Sequence, residues 1–435
     1  MKFLLVFQIF LNAVFFSFAQ ETLRVLQYNL LYYGTYPTWC PLAVNNPDLK
    51  DAHLKRITDY IQPDVFCVNE LGEGNTNSKR ILDNVLNINS PGKYKRCLTT
   101  NNGSSSIVNM LYYNSHKLIL HSQEQVSKDL NNNDLSRIIN LYKLYFKNAD
   151  LTLKEDTIFI TFIVAHLKSG NSSADQTSRF LETQALMSLL NEKKAPANFV
   201  FSGDFNIRGS EETSFENLIH HPNPDVRFYD PLDLPGTWNN NPDFADYHTQ
   251  STRITGQTNG GCFAEGGSDD RFDFILISTA IKNNTNSVQY IPGSYKVPGQ
   301  DGKRFKQSLN YPPNSSAEAE LIHALYEMSD HYPVCLDLSI NATLNTDKNN
   351  SLKREVIFNN PVKDYLELYF TCINCGPIAL EITTLTGLSL IRKDITEKNG
   401  QYRITVNVEL FQKGIYILKG SCLDGYCFNE KMIKF

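Results

Sequence analysis

Beyond residue 18 no apolar run is long enough to cross a bilayer, which takes about 20 consecutive apolar residues as a helix. Positive charge is not in excess either. The 41 Lys and Arg face 46 Asp and Glu, a formal net charge of −5. This excludes a general basic footprint for nucleic acid, though not a local patch. G-x-S-x-G and GxxxxGK are both missing, and with them the serine-hydrolase elbow and the phosphate-cradling loop. Up to residue 340 there is no HxxxH and no close cysteine pair, the usual marks of a zinc site. No internal repeat is present.

The first twenty residues are a separate segment. Lys2 precedes a largely apolar run, Phe3 to Phe18, with small residues at Ser17 and Ala19. This is the pattern of a secretory signal over residues 1–19, and the mature protein is expected to be soluble, without stable membrane insertion. Nine cysteines fit export. Cys67 sits in an apolar strand pattern and reads as a core thiol. Cys372 and Cys375 form CxxC, with Cys422 and Cys427 further on. Zinc is one reading of these four. In an oxidising compartment one or two disulfides are favoured, and spacing does not fix the connectivity.

Strand and helix patterns alternate up to about residue 340. "LRVLQYNLL", "DVFCVNEL", "IVNMLYYN", "LYKLYFK", "IFITFIVAH", "NFVFSGDFN", "RFDFILIS" and "HYPVCLDLSI" read as strands. Helical spacing predicts helices at 47–61, at "KRILDNVLNI", over "SADQTSRFLETQALMSLLNEK", at "SEETSFENLIHH" and at "SSAEAELIHALYEM". A loop of about fifty residues precedes "RFDFILIS". Several strands adjoin in sequence, so the class is α/β layers with a largely antiparallel component. Residues 341–354 are polar, Asn-rich and read as a linker. Residues 355–435 hold short strands separated by turns such as Asn399-Gly400, which predicts a small β-sandwich.

The apolar strands share an oddity: they end in polar residues. Asn29, Glu70, His166, Asp204 with Asn206, and Asp330 with His331 adjoin strand ends, and Asp273 opens one. A single such residue is ordinary turn chemistry, and Asp273 alone has a simpler reading as an ion pair with Arg271. If these ends converge, they form a site with four carboxylates and two imidazoles. Oxygen-rich ligands suit Mg²⁺ or Mn²⁺. A carboxylate-bound cation beside a His–Asp pair is equipment for hydrolysing a phosphate ester.

The segments "LQYNL", "PDVFCVNEL", "NMLYYNSHK", "IVAHLKSG", "FVFSGDFNI", "DDRFDFILIS" and "SDHYPV", in that order, resemble the endonuclease/exonuclease/phosphatase superfamily over residues 22–340. The resemblance implies a four-layer α/β sandwich of two mainly antiparallel sheets flanked by helices. It implies Glu70 and Asn29 as the principal metal-binding pair, with Asp330 a further carboxylate near the metal. It implies His331 as general base oriented by Asp273. Asp204 and Asn206 would position the nucleophile and a phosphate oxygen or a second ion, and His166 would donate a hydrogen bond to the phosphate. Leu31 stands where some relatives carry an acid.

The expected activity is that of a secreted, Mg²⁺- or Mn²⁺-dependent nuclease acting on DNA or RNA as a monomer, since "HLKSG…R…E…L" over 166–186 resembles secreted bacterial nucleases. A phosphodiesterase or phosphatase on phospholipid head groups or inositol phosphates is the alternative, and a degenerate binding protein the non-enzymatic one. Lys168, Arg179, Arg208, Arg253 and Arg271 are candidates to contact phosphate. The tail, 355–435, resembles the C-terminal sorting domain of type IX secretion in Bacteroidetes, which implies the export machinery as a partner and a destination at the cell surface or outside. A carbohydrate-binding module is the other reading of the tail.

Overall fold

The computed structural model describes residues 21–100, 105–147, 157–193, 197–254, 262, 266–340 and the tail from 356, apart from 372–377, 386, 396–400 and 423–424. The expected signal and linker, Cys372, Cys375 and the side chains of Cys422 and Cys427 lie outside the described part. The described residues fall into two compact units, one up to Ile340 and one from Val356 on.

The chain order of the first unit is β1 (Glu21–Tyr33), α1 (Pro47–Ile61), β2 (Val65–Gly72), α2 (Asn75–Ile81), β3 (Tyr94–Arg96), β4 (Ile107–Asn114), β5 (Leu118–Lys128), β6 (Asp134–Phe146), β7 (Phe159–His166), α3 (Ser173–Glu192), β8 (Phe199–Asp204), α4 (Thr213–Ile219), β9 (Phe228–Tyr229), β10 (Asp273–Ser278), α5 (Thr279–Lys282), β11 (Val288–Tyr290), α6 (Ala319–Met328) and β12 (Val334–Ile340). Local chemistry sets the helix ends. Asn46 caps α1 by accepting from the Asp48 N–H, Pro47 opens it, and Gln62 closes it in a left-handed conformation before Pro63. Ser172 and Asp175 form a reciprocal capping box on α3.

Two six-stranded sheets result, ordered β11-β12-β1-β2-β4-β3 and β5-β6-β7-β8-β10-β9. All strand pairs are antiparallel except one at the centre of each sheet, β1 with β2 and β7 with β8. Each parallel pair is linked through a helix, α1 or α3, as a parallel connection requires. Alternate residues of a strand then serve different layers. Phe162, Val164 and Val200 join one core with Leu54 and Ile57 of α1 and Leu321 and Leu325 of α6. Ile163, Phe199 and Phe201 join another with Leu186 and Leu190 of α3 and Phe215 of α4. The two sheets thus lie between helical layers. Each fully buried Leu or Phe contributes about 1.5–3 kcal/mol.

Two differences from expectation have physical reasons. β5 is sequentially illegible, because "LILHSQEQVSK" is an edge strand whose residues are mostly part-exposed or exposed. The described part of the long stretch before β10 is packed rather than a loose loop. It holds a 3₁₀ turn, Pro242–Tyr247, and a fully buried Trp238. Arg271, also buried, packs its guanidinium over Trp238 and Phe274 and pairs with Asp230 at 2.7 Å.

The second unit has two sheets, ordered β13-β14-β17 and β16-β15-β18-β19, built from β13 (Val356–Phe358), β14 (Tyr365–Thr371), β15 (Ile378–Thr384), β16 (Ser389–Ile395), β17 (Gln401–Asn407), β18 (Gly414–Cys422) and β19 (Gly425–Lys434). Leu366, Leu368, Ile382 and Leu418 are among its core residues.

Candidate active site

Parallel pairing puts two carboxyl-terminal strand ends side by side, and each sheet does this once. Asn29 on β1 is level with Asn69 on β2, and Glu70 follows. His166 on β7 is level with Asp204 on β8, which in turn faces Asp273 of β10. Asp330 and His331 arrive just before β12, the antiparallel neighbour of β1. The backbone is bent to present these groups. Leu31, Tyr32, Glu70 and Asn206 all have left-handed φ, between 47° and 56°. Such strain persists only where the surroundings enforce it, and it clusters at functional sites.

A buried ammonium holds the first of these bends. Lys50 of α1 donates to the carbonyls of Leu30 and Leu31 at 2.7 and 2.8 Å and to Asn45 Oδ1 at 2.8 Å. The bend aims the Tyr32 N–H at Glu70 Oε2, 3.1 Å, and the Leu31 N–H at Asn29 Oδ1, 3.0 Å. Asn29 then turns its amide nitrogen to Glu70 Oε1 at 3.1 Å and to Asp204 Oδ2 at 3.0 Å. It joins the carboxylates of the two sheets.

Ligand atoms of Glu70, His166 and Asp204 lie within 4.8 Å of one another, close enough to hold one metal ion. His166 Nε2 is 3.4 Å from Asp204 and 4.0 Å from Glu70. Burial raises the Glu70 carboxyl, and the charge of Asp330 raises it further. Asp204 is pushed up to about 7, by burial first and then by Asp273 and Glu70, against the pull of His331. Burial, with help from Arg137 and His331, drives the His166 imidazolium well below the usual histidine range. Buried acids short of positive charge, with Asp330 Oδ1 left without a partner, fit a hard divalent cation.

Next to this cluster, His331 Nδ1 meets Asp273 Oδ2 at 2.7 Å, both side chains almost fully buried. Gln250 Nε2 approaches His331 Nε2 at 2.8 Å and Asp330 Oδ2 at 3.0 Å. Burial opposes the imidazolium, but Asp273, Asp330 and Asp204 outweigh it and raise His331 well above its usual range. The ring thus has two forms: an imidazolium, and a neutral ring with Nδ1–H on Asp273 and an Nε2 lone pair facing Gln250. Positive charge among the carboxylates selects the second.

Six of the eight anticipated residues line one cleft of about 530 Å³: Glu70, His166, Asp204, Asn206, Asp330 and His331. Asn29 and Asp273 lie directly behind them, bonded as described. Asn206 donates its backbone N–H to Asp204 Oδ1 at 3.1 Å and its amide to the Leu167 carbonyl. Asp273 is not paired with Arg271, whose partner is Asp230.

Most of the basic candidates prove structural. Arg179 is buried against Glu212, Arg253 donates to the Tyr326 carbonyl, and Lys168 pairs with Asp175. Of the five only Arg208 lines the cleft, joined there by Arg137, Gln250 and Trp39, which no sequence pattern marked. Behind Asp204, Asn69 bridges the sheets. Its Oδ1 accepts from the Asp204 N–H and from Gln27, and its amide donates to Asn109 and the Ala165 carbonyl.

Residues 356–433 match the secretion system C-terminal sorting domain. This tail directs type IX export to the cell surface or extracellular space. Among the described residues no helix is long and apolar enough to cross a membrane. No curated protein matches the chain. Similar solved structures include an endonuclease/exonuclease/phosphatase from Bacteroides vulgatus, at 15% identity and TM-score 0.45 over 74% of this chain and 99% of that one. TDP2 of D. rerio complexed with a single strand DNA product is similar at 13% and 0.45, over 73% and 99%. A mannosyl-6-phosphatase of Bacteroides thetaiotaomicron is similar at 13% and 0.43, over 73% and 99%.

Proposed function

We propose that the chain is an exported, divalent-metal-dependent phosphoesterase, and that its substrate is the phosphodiester of DNA or RNA. One observation carries this reading. The His331–Asp273 pair adjoins the Glu70–His166–Asp204 cluster through Asp204, whose Oδ2 is 3.7 Å from His331 Nε2. A base and a cation site therefore face one small volume.

Glu70 and Asp204 would hold Mg²⁺ or Mn²⁺, with Asn29 orienting both and Asp330 adding charge. When bound, the ion draws charge from the phosphate oxygens. His331 Nε2 takes the proton of a water as its oxygen attacks phosphorus, and the ester P–O bond breaks as the leaving oxygen takes a proton from solvent water, to which His331 later returns its own. Asp273 holds the ring by its Nδ1–H and stabilises the imidazolium that forms. His166, kept neutral, donates a hydrogen bond to a phosphate oxygen. Asn206 and Asp204 hold the attacking water.

The test uses the full chain with supercoiled plasmid and single-stranded RNA, in Mg²⁺ or Mn²⁺ and then in EDTA. Cleavage is expected with metal only. It should fall at least ~100-fold in His331→Ala, and Glu70→Gln should shift the metal titration upward. Full activity in His331→Ala, or an unchanged metal titration in Glu70→Gln, overturns the assignments. No cleavage by folded protein moves the substrate to phospholipid or inositol phosphate esters, with sphingomyelin the next assay.

A further inference from the structure

Three residues of β1 stand against one of β2. Asn29 is level with Asn69 and Tyr33 with Leu71, so Leu30, Leu31 and Tyr32 stand where β2 offers only Glu70. On the other side of β1 the register with β12 ends at Gln27. Peptide groups in such a bulge are left out of the ladder and, when buried, need other partners. The N–H groups of Leu31 and Tyr32 go to Asn29 and Glu70. The start of α1 takes the carbonyls. Lys50 holds those of Leu30 and Leu31, and the Tyr32 carbonyl accepts from Asn45 at 2.9 Å and from the Thr35 N–H at 3.1 Å.

Local rules speak against a lysine in that place. It lies in the first turn of α1, where the helix dipole opposes a cation, and it is only 4% exposed. Burial first, and then Arg253, draw it well below the usual lysine range, while Asp330 and Glu70 favour its charge. Three acceptors, the two carbonyls and Asn45 Oδ1, match the three N–H groups of an ammonium, and a neutral amine would leave one of them bare. A cation kept against dipole and burial calls for a use. Leu31 itself packs in a buried cluster with Cys40 and Cys262, which are disulfide-bonded. The bend is thus held both by α1 and by the loop that precedes it.

We propose that Lys50 is a positioning residue of the candidate metal site, and that its hold on the Leu30 and Leu31 carbonyls sets the affinity for the divalent cation. This deepens the phosphoesterase reading above and rests on it. The Leu30 carbonyl and the Leu31 N–H belong to one peptide group, and the Leu31 carbonyl and the Tyr32 N–H to the next. A peptide group is planar, so an ammonium on its oxygen fixes where its N–H points. One plane orients Asn29 and the other Glu70. Without the ammonium both planes can turn, Glu70 Oε2 loses its donor, and the carboxylate must be ordered when the ion arrives. An ammonium has no lone pair for a metal, so Lys50 acts only through these planes.

The test reads cation binding without turnover. Mn²⁺ is titrated into the full chain, with no substrate present, by calorimetry and by loss of the free-ion EPR signal. Lys50→Met keeps the stem and removes the three donors. It should weaken Mn²⁺ at least ~10-fold, as loss of an outer partner of a metal ligand does. Leu54→Ala, one turn further along α1 and fully buried, is the control for stability. It lowers the melting temperature through a cavity and should leave Mn²⁺ affinity within about twofold of wild type. Should Lys50→Met fail to fold, Asn45→Ala removes one acceptor and the donor to Tyr32, and is expected to weaken Mn²⁺ at least ~3-fold, the effect of one hydrogen bond. Wild-type affinity in folded Lys50→Met, equal weakening in Leu54→Ala, or wild-type affinity in Asn45→Ala where Lys50→Met does not fold overturns the assignment. A wild-type chain that binds no Mn²⁺ defeats the metal reading and this one together, whereas Mn²⁺ bound equally by wild type and Lys50→Met defeats the positioning role alone.

Discussion

Single residues at this site are constrained from behind as much as from the cleft. Gly203 precedes Asp204 with φ +153°, and a Cβ there would lie 1.8 Å from the Ala165 carbonyl oxygen. The glycine lets β8 come close enough to β7 to set Asp204 level with His166. Gly203→Ala must push the strands apart, since backbone cannot yield as a flexible side chain does. It should cost about 3 kcal/mol or more and depress activity with it. Urea unfolding measures this, and a midpoint near wild type would count against the role given to this close approach. Neighbouring Ser202, also fully buried, shows that burial alone does not single the glycine out.

The elements meet through a polar seam. Gln27 on β1, Asn69 on β2, Asn109 on β4 and Asn140 on β6 are almost wholly buried and linked side chain to side chain. Asn109 also donates to the carbonyls of Ile138 and Val164. Apolar side chains would let the two sheets slide over one another. Paired amides fix one register, because any other leaves buried groups unsatisfied. Asn69→Leu would take the Asn69 partner from the Gln27 amide and from Asn109 Oδ1, and a side-chain acceptor from the Asp204 N–H. It should destabilise by about 3 kcal/mol, at about 1–3 kcal/mol per orphaned group, and lower the turnover number more than it raises KM. Thermal melting with steady-state kinetics tests both. Unchanged turnover in the folded variant would show that the seam serves stability alone.

At the scale of the molecule the same disulfide links the loop after β1 to a segment more than two hundred residues away. Closing so long a loop restricts the unfolded chain and contributes about 2–5 kcal/mol. Reduction of the intact protein should lower its melting temperature by several degrees or more. Of the described cysteines, the remaining three, Cys67, Cys97 and Cys335, are buried. Burial pushes the Cys67 and Cys335 thiols up to about 12, so they react slowly with thiol reagents until the fold opens. A reductant-insensitive melt would remove the disulfide from this account.

Much of the candidate site was legible because a polar residue on an apolar strand is conspicuous. Asn29, Glu70, His166, Asp204 and Asp273 each interrupt a run that alternation and burial would otherwise fill with Val, Ile or Phe. The parallel pairs made their ends adjacent, which local pattern could not supply but which helix-linked strands allow. Gln250, Arg137 and Trp39 left no such mark. Gln250 and Trp39 lie in segments rich in turn residues, and Arg137 is on a strand whose polar residues include Asn140 of the seam. Their neighbours in the cleft are far away in sequence. Likewise, nothing local distinguishes Arg208, which lines the cleft, from Arg179 and Arg271, whose charges are spent on Glu212 and Asp230. Periodicity and the chemistry of side chains are properties of short segments, so the sequence by itself determined the strands, the helices and the kind of chemistry at their ends. Which cation faces the cleft, which cysteines join and which aromatic ring stands at its mouth depend on distant partners meeting, and only the tertiary structure decided them.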